Sequence, residues 1–184
     1  NVIVMRVDGF AMMPNFSFGM AMTTYTGQNV GAKRLDRVEL GTRQGLIIAA
    51  GVSTVITIIL LAFGRHLMNI FTDTVELVDL SMRMMRILAV GYVAMAISQV
   101  LSGVMRGAGD TVTPMWLSLI TTILLRVPTA YGLAYLTRSP QYPNGRPESV
   151  FISLLIAWVC GAIITAFFYK KGNWKNKALV RDVQ

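Results

Sequence analysis

The sequence predicts an all-α, polytopic membrane helix bundle with five transmembrane helices, and three observations predict it. Its 184 residues are 54% hydrophobic and only 14% charged, where soluble domains carry about 25% charged residues; mean hydropathy is +0.55. The apolar residues gather into uncharged runs of bilayer length instead of recurring at the spacing of a core-facing stripe. The basic residues sort by alternate connections between those runs, a mark of membrane topology.

Uncharged stretches occupy 9–27, 44–64, 87–105, 111–125 and 149–169. A helix rises about 1.5 Å per residue, so about 20 residues cross a hydrocarbon layer about 30 Å thick. Four stretches reach that length unaided, and the other does so once Arg126 is admitted and it runs over 111–137. Lys33, Arg34, Arg37 and Arg43 follow the first span, Arg106 the third, and Lys170, Lys171, Lys175, Lys177 and Arg181 the last. The other side holds the smaller set, Arg6, Arg65, Arg83, Arg86, Arg138 and Arg146. The larger set is expected in the cytoplasm, and the C-terminus with it. An odd number of spans then leaves the N-terminus outside, with no signal sequence ahead of Val2 to carry it there. Since Val2 to Met5 already begin a hydrophobic segment, the expectation is the C-terminal part of a longer membrane protein; the alternative is a complete five-span protein with an unusual start.

The first span contains Pro14, which removes a backbone hydrogen bond and bends a helix. Asn15 and Tyr25 lie on it, and its polar face either packs in the bundle or lines a cavity. Gln28 to Arg37 read as a polar turn, with Gly31 suited to a helix stop. Gly41 and Gly45, spaced small-xxx-small, let a neighbouring helix approach the second span. The second connection, Arg65 to Arg86, reads as a wet outer segment with an amphipathic stretch over 75–80. Gln99 is the strongly polar side chain of the third span, either bonded to a neighbouring helix or facing a substrate.

The string from Gly103 to Pro114 specifies a tight corner between helices: three glycines, Gly103, Gly107 and Gly109, for the turn, Arg106 and Asp110 as an ion-pair candidate, Asp110-Thr111 as a helix start and Pro114 in the first turn. It lacks the Lys-Ser/Thr pair that closes a phosphate-binding P-loop. Arg126 lies near the middle of the fourth span, two residues before Pro128, where a charge costs at least about 2.5–3.5 kcal/mol. Three readings stay open for it: a solvated substrate path, a lock between helices, or snorkelling to the interface. Tyr131 continues toward the outer interface. An irregular outer loop over 139–147 and a basic, aromatic anchor ending in Trp174 complete the chain.

These residues also exclude functions. A net charge of +8 would suit nucleic acid, but the hydrophobic runs divide the cations, so no nucleic-acid partner is expected. One cysteine, Cys160, and one histidine, His66, build no disulfide, zinc site or Cys/His nucleophile. No cluster suited to catalysis is present, and no catalytic residue, metal or cofactor is expected.

The Gly27-Gln28-Asn29-Val30-Gly31-Ala32-Lys33-Arg34 string after Met13 to Phe16, with the Gly103–Pro114 corner, resembles the multidrug and toxic compound extrusion (MATE) family. The resemblance covers essentially the whole chain. It implies that the five spans correspond to helices eight to twelve of a twelve-helix transporter built from two six-helix lobes, with residues 1–172 in the C-terminal lobe and 173–184 a cytoplasmic tail. It further implies a bacterial plasma (inner) membrane protein that exports small organic cations in exchange for sodium or protons. Its partners would be the lipid bilayer and, from the same protein, the N-terminal lobe and helix seven. Part of the family carries a cation-binding acid within the tenth helix, whereas Ile87 to Gly103 here contain none. The coupling ion is therefore expected on acids outside this chain, Asp8 and Asp110 lying only at the ends of spans. Candidates for the substrate path are Asn15, Tyr25, Gln99, Arg126 and Tyr131. Candidates for structural roles are Gln28, Gly31, Arg106, Gly107, Gly109, Asp110, Pro114 and Pro128. Two other readings are a lipid-linked oligosaccharide flippase of the same superfamily, whose cavity would be lined with cations, and a non-transporting membrane scaffold subunit.

Overall fold

A computed structural model describes residues 2–70, 74–138, 142–143, 146–172 and 174–175. Helices account for nearly all of them: α1 (Val2–Gly31), α2 (Leu35–Asn69), α3 (Val75–Gly107), α4 (Val112–Leu119), α5 (Val127–Leu136) and α6 (Glu148–Lys171). A π-helical segment, Ile120–Arg126, joins α4 to α5, so the three form one rod over Val112–Leu136. The expected spans 9–27, 44–64, 87–105 and 149–169 fall inside helices, and 111–137 overruns the rod by one residue at each end. The helices extend beyond the uncharged stretches because their charged ends continue the same backbone hydrogen bonding into the headgroup region. The expected outer-loop residues 139–141 and 144–145, and most of the 173–184 tail, lie outside the described residues.

Four helical units, α2, α3, the α4–α5 rod and α6, are long and apolar enough to cross a membrane. The chain is thus a multi-pass membrane protein. The 30-residue α1 is long enough as well, but its Pro14, Asn15 and run of hydroxyl residues lower its hydropathy. It passes through Pro14 as one helix.

α3 is the axle of the bundle, packed against α1, α2 and α6, while the α4–α5 rod rests mainly on α6. Glycines set the closest crossing. A Cβ at Gly103 would lie 2.3 Å from the Gly19 carbonyl oxygen, and one at Gly107 would lie 2.4 Å from that of Thr23. These two glycines, one turn apart on α3, therefore serve the contact with α1, whereas Gly109, at φ +92°, makes the turn. On the other flank of α1, the Tyr25 ring fills the place of a side chain at Gly41, and Met22 Sδ does so at Gly45.

The helix ends follow from local chemistry. α1 stops at Gly31, but the left-handed residue after it is Lys33, at φ 56°. The α4 start is held by Asp110, which accepts from the Thr113 backbone N–H at 3.2 Å and its hydroxyl at 2.7 Å. α6 has Glu148 in its first turn and Lys170 and Lys171 in its last, matching its macrodipole, and Gly172 caps it at φ 73°. Beyond the cap Trp174 is buried, stacks on Tyr169 at 5.4 Å and donates its indole N–H to the Tyr169 carbonyl. Lys175 then pairs with Glu39 near the start of α2. The connection around Lys33 and the residues Trp174 and Lys175 are thereby brought to the same end of the bundle.

Candidate functional site

A groove runs between α1 on one side and the α4–α5 rod on the other, with α3 and α6 as its floor. Met95 and Trp158 divide it into two cavities and line both. The indole reaches this position because α3 has no side chain at Gly91, where a Cβ would lie 2.5 Å from Trp158 Cε3. Tyr92 packs beside it, its ring centre 6.1 Å away.

One cavity, about 190 Å³, is polar. α3 contributes Ser98, Gln99, Ser102 and Arg106 to it, at the i, i+3, i+4 spacing that gathers side chains on one helix face. Ser118, Thr121 and Thr122 line it from the rod, and Thr165 from α6. The π segment explains why two consecutive threonines both reach the lining: its wider turn shifts the helical phase next to Pro128, which has no N–H to give the preceding turn. Thr129 partly repairs that turn by donating to the carbonyls of Leu125, at 2.6 Å, and Arg126, at 3.0 Å.

The other cavity, about 370 Å³, is mostly apolar, with Met12, Phe16, Leu88, Phe151 and Leu154 on its walls and two ionisable groups, Asp8 and Arg126. Asp8 faces the Tyr92 hydroxyl. Asp8 Oδ1 and that hydroxyl are buried, and neither has a hydrogen-bond partner among the described residues. Arg126 is half-buried, and its guanidinium makes no hydrogen bond or ion pair among those residues.

Of the substrate-path candidates, the structure brings Gln99 and Arg126 to the groove, one in each cavity. Asn15 is buried elsewhere at 1% exposure, its amide donating to the Tyr92 carbonyl at 3.3 Å and accepting from Ser53 Oγ at 2.7 Å. It ties α1 to α2 and α3. Tyr25 donates to the Arg37 carbonyl at 3.0 Å and packs on Gly41. Tyr131 is 76% exposed on the rod. Among the structural candidates, Gln28 is exposed at the end of α1 and Pro114 is buried in the first turn of α4. The expected Arg106–Asp110 ion pair is not formed: Asp110 caps α4 while Arg106 lines the polar cavity.

Sequence reading missed Asp8, Ser98, Ser102, Thr121, Thr122 and Trp158 as groove residues. A signal for three of them, Ser98, Ser102 and Thr122, was present, since Ser98, Ser102 and Arg106 repeat at helical spacing in an otherwise apolar span, as do Ser118, Thr122 and Arg126.

The family model described as MatE matches residues 2–132. The chain belongs to the MatE family. This MatE chain is 24% identical over 184 residues to "Probable multidrug resistance protein YoeA" of Bacillus subtilis, covering 99% of itself and 38% of that protein. It is 24% identical over 178 residues to "Probable multidrug resistance protein NorM" of Thermotoga maritima, covering 97% of itself and 37% of the relative. With a protein of the same description from Oceanobacillus iheyensis it shares 29% over 153 residues. The chain thus spans less than two-fifths of the length of these relatives. A solved structure titled as the inward-facing conformation of a multidrug resistance MATE family transporter of the MOP superfamily superposes with a TM-score of 0.77 at 15% identity, covering 97% of this chain and 40% of that one. That likeness establishes the fold.

Proposed function

We propose that this chain is the C-terminal lobe of a secondary active efflux antiporter that exports small organic cations from bacteria in exchange for sodium or protons. It supplies one wall of the transport path and performs no covalent chemistry. Family membership supports transport, and the relatives described as multidrug resistance proteins support drugs as cargo. The observation that carries the coupling is Asp8. In this reading its buried carboxylate oxygen, with the Tyr92 hydroxyl as its polar neighbour, binds the coupling cation or proton. That revises the sequence expectation that all coupling acids lie outside these residues. A carboxylate in an apolar cavity tolerates its charge best with a cation bound, so occupancy by ion and by drug exclude one another there. In the same reading the protein lies in the plasma (inner) membrane with its C-terminus in the cytoplasm, the end where Lys33, Arg34, Lys170 and Lys171 concentrate.

The test uses the full-length protein that contains this chain, reconstituted in liposomes and driven by an imposed sodium or proton gradient. Asp8→Asn is expected to abolish gradient-driven ethidium efflux, and Asp36→Asn, at an exposed site on α2, to leave it intact. Wild-type efflux from Asp8→Asn would overturn the assignment. One observation favours a second reading: Arg106 and Arg126 outnumber Asp8 in the groove, as the flippase alternative requires. Faster translocation of a lipid-linked oligosaccharide in liposomes, with no ethidium efflux, would select it.

A further inference from the structure

The polar cavity carries a chemistry that export of an organic cation leaves unused. Arg106 is the charged side chain lining it, and among the described residues its guanidinium has no hydrogen-bond or ion-pair partner. Asp110, the nearest carboxylate along the chain, is engaged by Thr113. The hydroxyls of Ser102, Ser118 and Thr122, also in the lining, have no partner among the described residues either. Five guanidinium N–H donors, three rotatable hydroxyls and the Gln99 amide form a set in which donors outnumber fixed acceptors. Such a set fits a compact anion with several acceptor oxygens, and the planar guanidinium fork matches two oxygens of a phosphate.

Size and surroundings narrow the ligand. A volume of 190 Å³ holds about six waters at about 30 Å³ each, or one phosphate with a small attached group. The cavity does not end in a polar wall: Met95 and Trp158 lead from it into the apolar cavity of about 370 Å³. A ligand that satisfies both is an amphiphile with its anionic group at Arg106 and hydrocarbon beyond Trp158. We propose that the cleft between α3, the α4–α5 rod and α6 binds the phosphate group of an anionic phospholipid, with Arg106 as its anchor and Ser102, Ser118 and Thr122 as hydroxyl donors. The hydrocarbon shares the apolar cavity given above to drug and ion, but the assignment is tested separately from the efflux reading, because it requires neither Asp8 nor a gradient.

The experiment uses the full-length protein in detergent, with lipid binding followed by native mass spectrometry during titration with phosphatidylglycerol, phosphatidylcholine and inorganic phosphate. The wild type is expected to prefer phosphatidylglycerol over phosphatidylcholine by about tenfold, the worth of a charge-assisted pair. Arg106→Gln is expected to lose that preference, Arg106→Lys to keep part of it because the charge remains without the fork, and Arg138→Gln, exposed just past the end of the rod, to keep all of it. Displacement of the lipid by millimolar inorganic phosphate identifies a free-phosphate site of the same chemistry, and resistance to displacement identifies the lipid. Equal preference in the wild type and Arg106→Gln overturns the proposal, as does a wild type that binds the two lipids alike and ignores phosphate. Should Arg106→Gln fail to yield folded protein, Ser102→Ala combined with Thr122→Val takes its place, and an unchanged affinity for phosphatidylglycerol in that variant is equally contrary.

Discussion

Replacing Gly103 by alanine adds one methyl group where α1 and α3 are closest. Built on the existing backbone, that carbon lies 2.3 Å from the Gly19 carbonyl oxygen, 3.1 Å from its carbon and 3.2 Å from Met22 Cβ. A carbon and a carbonyl oxygen rest at about 3.3–3.6 Å even when attracted, so the helices have to separate by about 1 Å. The obstructing atoms are backbone and cannot rotate away. Overpacking of this kind costs about 1–3 kcal/mol, and alanine returns about 1 kcal/mol of helix propensity. Gly51, in the middle of α2, is the matched control: a Cβ there meets nothing within 4 Å, so Gly51→Ala keeps the propensity gain alone. The two variants should therefore differ by the overpacking cost, with Gly103→Ala the less stable. Thermal unfolding of the full-length protein in detergent, followed by size-exclusion chromatography with fluorescence detection, reads the difference. If Gly103→Ala melts at or above Gly51→Ala, the close crossing is not what fixes α1 on α3.

Arg126→Ala in the full-length protein is expected to impair efflux more than Arg138→Ala, whose side chain lies over the Tyr135 ring outside the groove; equal efflux from the two would remove Arg126 from the path. Asn15→Ala breaks the bonds to Tyr92 and Ser53 and is expected to cost about 1–3 kcal/mol of stability, so an unchanged melting temperature would contradict its role as a tie between helices. In a Cys160→Ala background, cysteines at Lys33 and Lys175 are expected to label from one side of intact cells and a cysteine at Arg138 from the other. Labelling of Lys33→Cys and Lys175→Cys from opposite sides would break the topology.

The helices were legible in the sequence because bilayer thickness is an external ruler: a run of about 20 uncharged residues has few other uses. Their true ends were less so, since Asp36 and Glu39 in α2 and Glu76 and Asp79 in α3 mark where lipid gives way to headgroups, not where helical hydrogen bonding stops. For the same reason Asp8 read as the end of a span, although α1 begins six residues earlier and carries it into the groove. The π segment has no local signature; it follows from Pro128 and the packing of Thr121 against Gly161, which only the folded bundle brings together. Asn15 and Gln99 look alike in sequence, each a lone amide in an apolar span. Their roles diverge because Ser53 on α2 meets one, whereas the other opens on a cavity between helices.

The attachment of the groove's walls dictates how it can change width. α1 is fixed to the floor by the Gly19, Gly103 and Gly107 crossing and by Asn15, contacts too close to slide. The α4–α5 rod meets α3 mainly through α4, next to the corner, and otherwise rests on α6, where the π segment interrupts regular α-helical packing. Opening or closing is therefore expected of the rod, with its pivot at the Gly107–Pro114 corner. Spin labels at exposed Met20 on α1 and Val90 on α3 should keep one narrow distance distribution when substrate or coupling ion is added to the full-length protein. Labels at Met20 and at exposed Leu136 near the far end of the rod should shift or broaden, because displacement grows with distance from the pivot. A shift confined to the Met20–Val90 pair would mean that the glycine crossing is the moving joint and the rod the fixed wall.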